Sequence, residues 1–124
     1  KYAPLPGGVI VMTEQFAQAN RDTVVKFVRA MRNSALEIIS ADPAQILDRV
    51  VAKFEITANE DRDFRLAAIK AYNELTLAQG EANVMRNVPE VFESAAKLVA
   101  TAGIAEVGDV KAIYSNEFID EAMK

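Results

Sequence analysis

Cysteine and histidine are both absent from the 124 residues. Without thiols there is no disulfide, no thiolate metal centre and no cysteine nucleophile. Without imidazole the commonest general base and the commonest metal ligand disappear together, so any catalysis would run on carboxylates, lysine, tyrosine or hydroxyls. A basic excess is missing too: 14 Lys and Arg against 18 Asp and Glu leave a net charge of −4. That is the wrong sign for a protein that grips phosphate backbones, and no nucleic-acid partner is expected. No apolar run approaches the roughly 18 residues of a membrane-spanning helix, and no charged, then apolar, then small-residue leader opens the chain. A start at Lys1 rather than methionine points to a processed protein or an excised piece. What remains, 51% hydrophobic and 26% charged residues, is ordinary globular material, enough for one domain with a core of its own.

The first eight residues hold two prolines and two glycines, the chemistry of a lead-in or hinge. Val9-Ile10-Val11-Met12 follows, short and continuously apolar, which predicts a strand buried on both faces. Its ladder partners are not evident elsewhere in the sequence, so it is expected to pair outside this chain or with a second copy. Everything later reads as about five or six helices. Thr13 suits the N-cap of a short helix to Ala19, and Asn20 or Asp22 starts the next, with Val24, Val28, Met31, Ala35 and Ile38 at helical spacing. Asp42-Pro43 is a cap with proline in the first turn, leading a stripe of Ile46, Leu47, Val50, Val51 and Phe54, with Phe54 expected between helices. Thr57-Ala58-Asn59-Glu60 offers a capping box for a long helix to about Gln79. Phe64, Ala68, Tyr72 and Leu75 line one of its faces while Leu66 and Ile69 begin a second, which predicts a central helix. Gly80 ends it. Asn87-Val88-Pro89-Glu90 caps a further helix bearing Val91, Ala95, Leu98 and Ala102, closed at Gly103 with Ile104 reaching back to Val99. A loop through Gly108 leads to Ser115 or Asn116, either one a cap for a last helix with Phe118, Ile119, Ala122 and Met123 inward.

Several constellations invite a functional reading. Lys26, Arg29 and Arg32, with Arg21 nearby, share a helix face that suits a phosphate or sulfonate, although a solvated cationic face opposite an apolar stripe explains them more simply. Glu60, Asp61 and Asp63 resemble a hard-cation site, but acids in a first helical turn stabilise the dipole without any metal. The hydroxyls of Tyr72 and Tyr114 suit a ligand, yet apolar neighbours favour packing with the hydroxyl at the rim. Glu117 after Ser115-Asn116 reads as a helix-start acid, and Gly7-Gly8 lacks the lysine and third glycine of a phosphate loop. No pair of carboxylates is spaced for acid and base work. Catalytic residues, metal ligands and cofactors are therefore expected to be none.

Taken together, four segments resemble the C-terminal part of a substrate-binding protein of ABC importers, in the group that includes the nitrate, taurine and alkanesulfonate, and thiamine-pyrimidine binders. Gly8-Val9-Ile10-Val11-Met12-Thr13-Glu14-Gln15-Phe16 matches that family's returning strand and its Ser/Thr-Glu-x-Phe helix. Asn20-Arg21-Asp22-Thr23-Val24-Val25-Lys26-Phe27-Val28-Arg29-Ala30 is similar to the next helix, with Arg21 in place of the usual proline. Asp42-Pro43-Ala44 resembles the Asn/Asp-Pro-Glu-Glu-Ala element, and Asp109 to Phe118 resembles the closing segment, with Ser115 for threonine. The likeness spans nearly all of the chain. It implies a mostly α fold: the helical C-terminal part of an α/β periplasmic-binding-protein lobe, with one short N-terminal strand. Residues 1–12 would form the return hinge and orphan strand, and residues 13–124 the helical subdomain of lobe one.

The same resemblance implies a non-enzymatic solute-binding component. It would capture a nitrate-, sulfonate-, taurine- or pyrimidine-like small molecule and work with an importer permease, periplasmic or anchored on the outer face of the inner membrane. The hinge would fall on Tyr2, Pro4, Pro6, Gly7 and Gly8, with the cleft made mainly by residues outside this sequence. A free-standing helical module that binds a protein partner or dimerises is the alternative, and a homodimer through Tyr2 to Thr13 would satisfy the strand. A thiamine-pyrimidine synthase resembles the same binding proteins but is disfavoured here by the lack of histidine.

Overall fold

The computed structural model of the chain describes residues 5–56 and 61–124. Six α-helices are found among them: α1 Glu14–Ala19, α2 Arg21–Ser40, α3 Pro43–Val51, α4 Arg62–Leu77, α5 Pro89–Thr101 and α6 Glu117–Ala122. The mostly helical expectation holds, but the strand does not form. Val9 to Met12 has no regular structure, and Val9, Ile10 and Val11 are exposed. A strand is defined by the ladder it shares with a neighbour, and no other strand exists among the described residues to supply one. Contacts divide the chain into two compact units, Lys1–Arg29 with Met85–Lys124, and Ala30–Val84. The continuous α2 contributes residues to both.

In the first unit the Thr13 hydroxyl accepts the Phe16 N–H at 3.2 Å and opens α1 as its sequence predicts. Ala17, Val24, Val25, Ala95, Ile119 and Ala122 are the buried residues. Pro89 stands in the first turn of α5, but Asn87 is not its cap. Val88 holds that position without a side-chain bond. Asn87 instead turns to the far end of the unit: its N–H donates to Asn116 Oδ1 at 2.8 Å, Asn116 Nδ2 donates to the Asn87 carbonyl at 2.8 Å, and Asn87 Nδ2 donates to the Ser115 carbonyl at 2.9 Å. An amide both donates and accepts, so it reproduces a backbone pairing between two loops.

The end of α5 closes as predicted. Gly103 has φ +67°, a conformation that side chains disfavour. The Ile104 N–H reaches the Val99 carbonyl at 3.1 Å and the Gly103 N–H reaches Ala100 at 3.0 Å. Ile104 itself stays 75% exposed, so the apolar half of that motif is little developed. The loop beyond contains a 3₁₀ turn at Val110–Ile113, capped by Asp109, that hydrophobic spacing did not reveal. Ser115 Oγ then accepts the Glu117 N–H at 3.1 Å to start α6.

In the second unit Asp42 caps α3 by accepting the Ala44 and Gln45 N–H groups at 2.8 and 3.2 Å, and Ile46 and Leu47 are buried. The capping box at 57–60 lies outside the described residues. Asp61 is the cap observed for α4, accepting the Phe64 N–H at 3.0 Å. Helix α4 packs on α3, with Leu66 and Ile69 half-buried. Arg62 pairs with Asp48, Arg49 with Glu37, and Asn73 donates to the Ile38 carbonyl. A turn at Gly80, φ +84°, leads to a 3₁₀ turn at Glu81–Asn83.

Three expectations fail in this unit. Phe54 is not buried between helices but 65% exposed, because α3 ends at Val51 and the chain turns away before the stripe is complete. Met31 and Ile38 of α2 are exposed as well. And α4 is not central within this unit: Phe64, Tyr72 and Leu75 are 60%, 71% and 71% exposed, whereas Leu66 and Ile69 on its other side are half-buried.

Large apolar side chains stay exposed in both units, among them Val11 and Ile104 in the first and Phe54, Tyr72 and Leu75 in the second.

Candidate functional site

The cationic face predicted on α2 is the strongest polar constellation. Helix geometry brings Arg21, Lys26 and Arg29 to the surface, but each is already engaged. Arg21 donates from Nη2 and Nε to Glu121 Oε2 at 2.8 and 3.0 Å and from Nη1 to Glu117 at 3.4 Å, and its guanidinium lies 5.0 Å from the Phe118 ring centre. The hydrogen bond to Glu121 raises its pKa above the ordinary arginine value, so it is charged throughout the accessible range. Lys26 pairs with Asp22 one turn away at 2.7 Å. Arg29 donates from Nε to the Ala122 carbonyl at 2.7 Å and from Nη2 to the Glu121 carbonyl at 3.4 Å. It thus binds the C-terminal end of α6, where carbonyls lack helical partners and the dipole favours a cation. Arg32 differs, since its Nε is buried without a hydrogen-bond partner among the described residues. The expectation of a freely solvated face is corrected for Arg21 and Arg29, which anchor α6.

The other candidates divide similarly. Asp61 is a helix cap and Asp63 lies in the same first turn; Glu60 lies outside the described residues. Among the described residues no group of acids is placed to hold a metal ion. Tyr114 packs its ring 4.5 Å from Phe92, as expected. Tyr72 stays 71% exposed, on the side of α4 that carries Phe64 and Leu75. Glu117 is paired with Arg21 at the start of α6.

Of the proposed hinge residues, Tyr2 and Pro4 lie outside the described residues. Pro6, Gly7 and Gly8 run without regular structure, with a bend at Gly8. Neither glycine has the left-handed backbone, and a methyl group at either would meet nothing within 4 Å. Their local geometry does not demand glycine.

The contacts that sequence reading missed join distant positions, such as Arg86 to Asp120 at 2.6 Å and Asn87 to Asn116. Separations of 34 and 29 residues carry no periodic signal. No protein-family model, curated protein or solved structure matches the chain.

Proposed function

We propose that the chain is the non-catalytic helical part of a solute-binding protein of an ABC-type importer, the remaining lobes forming the cleft for a nitrate-, sulfonate-, taurine- or pyrimidine-like molecule. The observation that carries this reading is the Val9-Ile10-Val11 tract. It leads directly into a Thr13-capped Glu-x-Phe helix, the order the resemblance rests on, yet the tract is 60%, 46% and 84% exposed. In the proposed whole protein it would become an interior strand of lobe one. The exposed apolar side chains would be covered by that lobe, and residues 1–12 would carry the connection between lobes. Work with a permease, and a periplasmic or anchored location, belong to the same proposal.

Native mass spectrometry of the protein purified together with the residues encoded upstream tests it. A second lobe and a co-purified small molecule, released on unfolding, are the expected result. A reading frame that opens within a few residues of Lys1 sinks the proposal.

The exposed Phe64, Tyr72 and Leu75 face of α4 favours a second reading, a helical module that docks a protein partner or a second copy. Sedimentation of the 124 residues separates the two causes of association. Dimerisation abolished by Val11→Lys points to the strand tract, and dimerisation abolished by Tyr72→Ser points to α4.

A further inference from the structure

Helix α6 is six residues long, too short to persist by backbone hydrogen bonds alone. Its three carboxylates all face arginines: Glu117 and Glu121 meet Arg21, and Asp120 meets Arg86. Its last carbonyls receive the guanidinium of Arg29, and the Met123 sulfur just beyond lies 3.7 Å from Arg86 Nη1. Its fully buried residues are Ile119 and Ala122, with Phe118 half-buried against the Arg21 guanidinium. Every acidic partner and Arg21 are more than a third exposed, so water and salt reach the ion pairs. Helix α1 is equally short but forms no ion pair among the described residues.

We propose that α6 is a charge-latched strap: it opens as a unit while α2 and α5 stay folded, ionic strength promotes the opening, and opening bares Ile119, Ala122 and the guanidinium groups of Arg21, Arg29 and Arg86. Local opening with the rest intact is the expected behaviour of a segment with few buried apolar contacts and solvent-exposed bonds. The cationic face singled out in the sequence is thus covered by an internal acidic segment. It becomes available to an anion only when the strap is off.

Hydrogen exchange of the whole chain, read by mass spectrometry in sodium chloride from about 20 mM to about 0.5 M, tests this, since the Debye length falls there from roughly 20 Å to roughly 4 Å. The amides of Ile119 to Met123 should exchange about tenfold faster than those of α5, and accelerate severalfold with salt, while α1 shows no such response. Arg21→Gln combined with Arg29→Gln should raise α6 exchange about tenfold in low salt and remove most of the salt dependence. Exchange of α6 in step with α2 and α5 at every salt concentration overturns the proposal, as does an α6 rate that the double substitution leaves unchanged. If that variant loses α5 protection as well, the salt series on the unsubstituted chain decides alone.

Discussion

The two units solve the same problem with different means. The unit built on α1, α5, α6 and the first half of α2 buries small residues, three of them alanine, and supplements them with directed contacts: Arg21 on Glu121, Arg29 on the α6 carbonyls, the Asn87–Asn116 amide pair. The unit containing α3 and α4 buries Ile46, Leu47 and Val84 while leaving Phe54, Phe64, Tyr72 and Leu75 in water. Apolar content alone does not make a core. Each apolar face needs a partner surface, and a helix hairpin supplies one partner where α4 has two faces.

The comparison breaks most visibly at buried aliphatics. Ile119→Ala should cost about 2–4 kcal/mol in urea unfolding, because burial and cavity terms act together, whereas Phe54→Ala should cost less than about 1 kcal/mol despite removing more atoms. Equal costs would mean that the end of α3 is covered and the contrast between the units is wrong. Next in size is Met85, the one non-glycine residue with positive φ among the described residues, at 66°. Met85→Val should destabilise by about 1–2 kcal/mol, since a branched side chain fits the left-handed region poorly. Met85→Gly should stay near neutral, because relieved strain offsets the added freedom of the unfolded chain. Thermal melts of the two variants check their order. Asp42→Ala should remove about 1 kcal/mol by orphaning the Ala44 and Gln45 amides. The smallest change sharpens the comparison instead: Tyr72→Ser with Leu75→Ser should alter stability by no more than about 0.5 kcal/mol while reducing the binding of a hydrophobic dye. A large loss of stability would show that this face of α4 is packed.

Local punctuation was legible in the sequence. Thr13, Asp42-Pro43, Gly80 and Gly103 mark boundaries where expected, because a cap or a left-handed glycine acts within four or five residues. Faces were legible only in part. Spacing shows that Phe64, Tyr72 and Leu75 share a side of α4 but not whether anything lies against it. For the same reason Val9 to Met12 reads as a strand and does not form one. The contacts around α6 were invisible, since Arg21 and Glu121 lie a hundred residues apart and neither is unusual alone. Arg29 read as a solvated cation for want of any local sign that a helix end would reach it.

The amide pair at Asn87 and Asn116 also decides where the chain can be lengthened. Because it ties the two ends of the excursion that carries α5, that excursion is a loop fastened at its base, with the exposed segment from Ile104 to Glu106 at its far side. Added length in a closed loop weighs lightly, each doubling costing only about 0.6 kcal/mol in closure entropy. A peptide tag or a small domain grafted after Ala105 should therefore leave the base fastened, making this the natural place to carry a reporter or an affinity handle.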